Sequence, residues 1–308
     1  MKEYSRPTIK SVMELAAPHT WPASVVPVVL GTVLAYALEG RFDAGIFYST
    51  LLVAVFLQCA VNTINDYADF VKGTDTVENS IDPTDASLVY NNMNPKTALK
   101  IGIGFIVLAA LSGIYTLWMA GWTPLLFGAV GVAVLALYSL GKLPISHLPL
   151  GEAVSGFTMG ILITVACHYV QASRLDMRVV LFSLPAFLTI ALIMMVNNTS
   201  DIEKDETSGR RTLPVILGRS SAQKLIRGAI LAAIVLILIA AYVWFRSGMF
   251  LVPLMLFMTA RAAFPLFKNP VDPAARMRSM AAVVRTHTIS NAFFIIMIAV
   301  HAMLGGQM

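Results

Sequence analysis

Charge is scarce in this chain of 308 residues. Asp, Glu, Lys and Arg make up 13% of it, roughly half the share a soluble domain carries. That excludes an ordinary water-soluble globule. Cysteine is scarcer still: Cys59 and Cys167 are the two present, each inside an apolar run, which excludes a disulfide framework. No basic run with interleaved aromatics occurs, so the net charge of +5 is no nucleic-acid footprint, and nucleic acid is not an expected partner. The first ten residues are polar and basic. The apolar run after them lacks a small-residue cleavage site, so no cleavable signal peptide is expected.

What is there is apolar: 57% of the residues are hydrophobic, and the mean hydropathy is +0.74. A spanning helix needs about 20 mostly apolar residues. Nine segments qualify, at about 22–39, 45–65, 97–118, 122–141, 152–171, 179–199, 224–245, 249–267 and 284–304. The expectation is an all-α polytopic membrane protein, one domain over 1–308, with membrane lipid around it. Lys and Arg set the orientation. With the N-terminus cytoplasmic, eighteen of them fall in inner loops and four (Arg41, Arg174, Arg178, Arg246) in outer ones. All four tryptophans fall at predicted helix ends, as interfacial belts require.

Two polar clusters interrupt this pattern, each closing an apolar run on the cytoplasmic side. The longer inner loops, about 66–96 and 200–223, carry them. The first reads Asn62-Thr-Ile-Asn65-Asp66-Tyr67-Ala-Asp69-Phe-Val-Lys72-Gly73-Thr-Asp75. The spacing of Asn62, Asp66 and Asp69 puts all three on one helical face. The second runs from Asn197 to Thr212, and Asn198, Asp201 and Asp205 again share a face. Acids at a membrane edge mark functional sites by default. Mg²⁺ is a hard cation, usually held by one or two carboxylates plus substrate phosphates. Asp66, Asp69, Asp201 and Asp205 are therefore the candidate metal ligands and catalytic acids. Asn62, Asn65 and Asn198 supply neutral oxygens or orient the carboxylates. Lys72, Lys142, Lys204, Arg210 and Arg211 are candidate phosphate contacts, Arg in bidentate fashion. Asp82, Asp85, Glu203 and Glu206 read as solvated loop charges. His168, His287 and His301 read as packing or interfacial residues, and His19 as a polar helix start.

These residues carry a resemblance. Asn65-Asp66-x-x-Asp69 with Gly73-x-Asp75, and Asp201-x-x-x-Asp205-x-x-x-Gly209-Arg210-Arg211-Thr212, resemble the two signature motifs of the UbiA superfamily of intramembrane prenyltransferases. Pro18-His19-Thr-Trp21-Pro22 looks like the opening helix of its menaquinone branch, the 1,4-dihydroxy-2-naphthoate polyprenyltransferases. Tyr138-Ser-x-Gly-Lys142-x-Pro144, followed by Leu150-Gly151-Glu152, is similar to that branch's turn between helices four and five. Ala17 and Ser200 stand where the branch usually has Arg. The resemblance spans about residues 15 to 220. It implies nine helices and Mg²⁺-dependent transfer of a polyprenyl group from its diphosphate to an aromatic acceptor, 1,4-dihydroxy-2-naphthoate, in a prokaryotic cytoplasmic membrane. Tyr138 and Tyr67 would shield the allylic cation. Other acceptors of the superfamily (4-hydroxybenzoate, homogentisate, a heme or chlorophyll precursor) remain open. So does an ion-coupled transporter, although coupling acids usually sit at the midplane on broken helices.

Overall fold

In the computed structural model, which describes residues 4–73, 87–141 and 143–305, the described chain is helical throughout apart from turns and one isolated bridge between Ser5 and Met93. The helices are α1 (Ile9–Ala16), α2 (Pro22–Glu39), α3 (Ala44–Lys72), α4 (Ser87–Tyr90), α5 (Pro95–Ser112), α6 (Ile114–Ala120) and α7 (Pro124–Ser139). They continue as α8 (Gly151–Ser155), α9 (Ile163–Ala172), α10 (Met177–Ser200), α11 (Ile202–Thr207), α12 (Leu213–Leu217), α13 (Arg219–Val243), α14 (Val252–Lys268) and α15 (Arg276–Met303). A π-helical turn, Gly156–Leu162, joins α8 to α9. Among the described residues, eight helical stretches are long and apolar enough to cross a membrane. The segment expected at 122–141 is the exception: Pro124–Ser139 has 16 residues. This is an integral membrane protein with an all-helical fold.

Helix α10 lies at the centre. It packs on α13, α15 and the π-helical turn, while α2 packs on α9 and α15. One core cluster gathers Leu30, Leu34, Phe182, Phe245, Phe294 and Met297; a second gathers Ile190, Val196, Ile226, Leu266 and Val283. Apolar residues point outward as well, among them Leu126 on α7, Val235 on α13 and Phe264 on α14. Apolar faces both inside and outside are what a bundle in lipid requires, since backbone polar groups must be satisfied within each helix. The buried polar contacts follow the same logic. His287 Nδ1 lies 2.8 Å from Thr189 Oγ1, and Asn291 Nδ2 donates to the same hydroxyl at 3.0 Å, tying α15 to α10. His287 is thus a packing residue, as the sequence suggested.

Two helices outrun their expected segments by about two turns, and both extensions matter for the site. Helix α3 starts at an Asp43 cap, whose carboxylate accepts from Ile46 N at 2.8 Å, and continues to Lys72. Its 29 residues span about 43 Å, more than a hydrocarbon core of about 30 Å, and its last turns carry the first cluster. Helix α15 begins at Arg276, two turns before the expected 284. Its entry is shaped by Asp272, whose carboxylate accepts from Ala275 N at 2.8 Å.

Candidate active site

The ends of α3 and α10 converge on a cavity of about 690 Å³. Asn62, Asn65, Asp66 and Asp69 line it from α3, and Asn198, Asp201, Lys204, Asp205 and Arg210 from the other side. The two clusters thus face one space, each presenting the single face its spacing predicts. Tyr138 of α7 also lines it; Tyr67 is not among the lining residues. His19, read from the sequence as a polar helix start, lines the cavity too.

Local chemistry fixes each side chain. Asn65 donates through Nδ2 to Asp69 Oδ2 at 3.2 Å and accepts from Ser139 Oγ at 3.1 Å, so the amide ties Asp69 to α7. Helix α10 breaks at Asp201, whose backbone (φ −107°, ψ 17°) leaves the helical region before α11 resumes. Gly209 then takes φ +72°, a left-handed conformation that glycine adopts without cost. That turn brings the chain back, and the Arg210 amide donates to Asp205 O at 2.9 Å. The Arg210 guanidinium ion-pairs with Asp69 and lies 3.5 Å from Asp205 Oδ1. Thr212 Oγ1 donates to Asp205 Oδ2 at 3.1 Å. Burial pushes the Asp205 carboxyl up to about 6; Arg210 opposes that shift, and Asp201 adds to it.

Other expected contacts stand outside the cavity. Lys72 is exposed and donates from Nζ to Ser139 O at 3.0 Å. The Arg211 side chain is exposed, and its backbone amide donates to His147 O at 2.9 Å. Burial, helped by Arg210 and Lys72, pulls the His147 imidazole down to about 4, so it is neutral at physiological pH. Lys142, Asp75, Asp82 and Asp85 lie outside the described residues.

Sequence reasoning missed the contribution of α15. Arg276 sits beside Asp201, with Nε 3.1 Å from Oδ1, and its Nη2 donates to Asn197 Oδ1 at 2.7 Å. A guanidinium thus reaches the second cluster from the last helix; Ser200, which precedes Asp201 in the chain, is fully buried with its hydroxyl on Val196 O. Arg285 lines the cavity as well. Both were counted as inner-loop charge. The available signal was that Arg285 lies inside the apolar segment 284–304 rather than in the loop before it.

Among the described residues, no group of three or more His, Cys, Asp or Glu side chains is placed to hold a metal ion by itself. The donor set is nonetheless hard carboxylate oxygen on both walls of one cavity, flanked by Lys204, Arg210 and Arg276. That suits a Mg²⁺ ion bound partly by ligand phosphates and only in part by protein.

The sequence profile described as the UbiA prenyltransferase family matches residues 24–302. The chain belongs to the UbiA prenyltransferase family. A 1,4-dihydroxy-2-naphthoate octaprenyltransferase of Bacillus subtilis is 35% identical over 231 residues, covering 75% of this chain and 71% of that protein. Its counterpart in Mycobacterium tuberculosis is 31% identical over 258 residues, covering 82% and 84%. The chicken UbiA prenyltransferase domain-containing protein 1 is 31% identical over 206 residues, which is 60% of its length. Among solved structures, a UbiA homolog from Archaeoglobus fulgidus superposes with a TM-score of 0.65 at 15% identity, covering 95% of this chain and 99% of that one. The same homolog bound to GPP and Mg²⁺ gives 0.58, with the same coverage. At that identity the likeness concerns the fold.

Proposed function

We propose that this protein is an aromatic polyprenyltransferase that joins a long prenyl chain to 1,4-dihydroxy-2-naphthoate. The observation that carries the reading is the convergence of two carboxylate-bearing helix ends, with Arg210 between them, at the polar end of a cavity that also exposes Val61, Ile190, Ile193 and Met280. A polar head and an apolar tail in one ligand match that division. The names of the Bacillus and Mycobacterium relatives support the naphthoate acceptor.

Asp66 and Asp69 on one wall, and Asp201 and Asp205 on the other, would hold Mg²⁺ together with the diphosphate. When bound, the metal's chemistry is neutralisation of charge on the leaving diphosphate. Arg210 and Arg276 add fixed positive charge where the diphosphate charge develops. Lys204 reaches the same space. Tyr138 offers an aromatic face to the allylic carbon as its C–O bond breaks with cationic character. The electron-rich ring carbon of the acceptor bonds to that carbon, and the bonding pair of the broken C–O bond leaves with the diphosphate. Attack at the carboxyl-bearing carbon is followed by loss of CO₂, which restores aromaticity and gives a demethylmenaquinol. A ninth crossing by Pro124–Ser139, a cytoplasmic N-terminus, one domain over 1–308 and residence in a prokaryotic cytoplasmic membrane complete the reading.

The test is a product assay with purified protein, Mg²⁺, a polyprenyl diphosphate and carboxyl-labelled acceptor. Release of label in step with prenylation supports the reading. No reaction with this acceptor, alongside prenylation of 4-hydroxybenzoate or homogentisate, moves the protein to another branch of its family.

A further inference from the structure

Asn62 and Asn198 each sit about one helical turn before the paired carboxylates, yet they are used differently. Asn62 is spent inside the protein. Its Nδ2 donates to Ala16 O at 3.1 Å and Thr20 Oγ1 at 2.8 Å, and its Oδ1 accepts from Gln58 Nε2 at 3.3 Å. Asn198 donates its Nδ2 to Glu152 Oε1 at 2.8 Å. The amide thus sits with its nitrogen toward Glu152 and its oxygen turned away. Asn198 lines the cavity, and its oxygen, which makes no bond to Glu152, is left as an acceptor beside the second amide N–H. Glu152 is 4% exposed, and its Oε2 is buried without a hydrogen-bond partner. A carboxylate is costly to bury in that state, so its retention asks for a reason.

Thr158 stands further along the same wall. It lines the cavity, and its buried Oγ1 has no partner among the described residues. A threonine inside an apolar helix ordinarily bonds back to the carbonyl four residues earlier, as Thr164 does to Gly160 O at 2.7 Å. Thr158 sits in the π-helical turn, where the wider winding changes which side chains face which way. Ser155, Thr158 and Met159 all face the cavity. Gly156 and Gly160 hold the turn against α10. A Cβ at Gly160 would meet Phe187 N at 2.5 Å, and one at Gly156 would meet Phe187 O at 2.6 Å.

The cavity wall therefore carries two polar residues, Thr158 and Asn198, among Met159, Ile190, Ile193 and Met194, with the Thr158 hydroxyl covered as it stands. An apolar wall with a few placed polar groups suits a flat ring bearing oxygen substituents. We propose that this wall reads the acceptor: Asn198 Oδ1 accepts from a ring hydroxyl, Thr158 Oγ1 donates to a second ring oxygen, and Glu152 is the positioning residue that keeps the Asn198 amide turned the right way. The proposal rests on the prenyl-transfer reading above.

The experiment compares a hydroxyaromatic acceptor with its O-methyl ether, using the purified full chain, Mg²⁺ and a polyprenyl diphosphate. Thr158→Val and Glu152→Gln should each raise the acceptor KM by about tenfold or more and shrink the preference for hydroxyl over methyl ether, because a site built to bond a hydroxyl loses that discrimination when the bond is lost. The KM for the diphosphate should stay within about twofold in both, which also shows that the variants are folded. Thr158→Ser should recover most of the acceptor affinity. An acceptor KM within about twofold of wild type in both variants overturns the proposal, as does a parallel rise in the diphosphate KM. Failure of the wild type to prenylate any hydroxyaromatic overturns the prenyl-transfer reading itself, and this proposal with it.

Discussion

Arg210 pairs with Asp69, 141 residues before it in the chain, and the same guanidinium lies 3.5 Å from Asp205. One cation thus ties the two acidic helix ends together. Arg210→Ala should weaken polyprenyl-diphosphate binding by about tenfold or more, since the site loses a bidentate donor and leaves carboxylates facing one another. Arg210→Lys should restore part of the loss, because a point charge lacks the fork geometry. Calorimetric titration of the diphosphate in the presence of Mg²⁺ measures both. Unchanged affinity in Arg210→Ala would assign Arg210 to structure alone.

Substitution of the acids tests the metal directly. Asp→Asn at Asp66, Asp69 or Asp201 should lower turnover by more than about tenfold while detergent-solubilised protein keeps its thermal transition. EDTA should abolish activity in the wild type, and Mg²⁺ should restore it. Full turnover in EDTA would remove the metal from the mechanism.

Asp205 gives the site a pH dependence with a definite sign. Its folded value of about 6 lies above the ordinary 3.8. Without metal, the folded protein holds this proton more firmly than the unfolded chain does. The stabilisation from this group is therefore complete below pH 3.8 and is lost as pH rises through about 6. Metal binding runs the other way, because it needs the carboxylate. The Mg²⁺ concentration for half-maximal activity should rise by about tenfold between pH 7.5 and pH 5. In Asp205→Asn the residual activity should lose this component. A Mg²⁺ requirement independent of pH in the wild type would refute it.

Arg276 reaches Asp201 from a helix that begins 75 residues later. Arg276→Ala should leave Asp201 without that guanidinium and raise the KM for the diphosphate, with Arg276→Lys intermediate. Arg278→Ala is the control: it is exposed in the same turn and does not line the cavity. Equal effects of the two alanine variants would reduce Arg276 to general positive charge.

Topology is open to a labelling test. Arg211 and Arg174 are both exposed and belong to loops assigned to opposite membrane sides. Single cysteines at these positions should react with a membrane-impermeant thiol reagent from opposite faces, Arg211 from the cytoplasmic one. Labelling of both from one side would break the proposed orientation.

The sequence by itself determined the helices and the two polar faces. Hydropathy over about 20 residues is a local property, and so are the spacings of Asn62, Asp66 and Asp69 and of Asn198, Asp201 and Asp205. Each triplet does line one cavity. Helix ends were less legible. Arg276 and Arg278 lower the hydropathy of the first two turns of α15, so the helix was read as starting late. Only the tertiary structure decided which helix ends meet. The pairing of Arg210 with Asp69, the reach of Arg276 to Asp201 and the hold of Glu152 on Asn198 join residues far apart in the chain. So did the sorting of basic residues into Arg210, inside the cavity, and Lys72 and Arg211, outside it. Those contacts follow from how α3, α8, α10 and α15 pack against one another, and no pattern within a single helix carries that information.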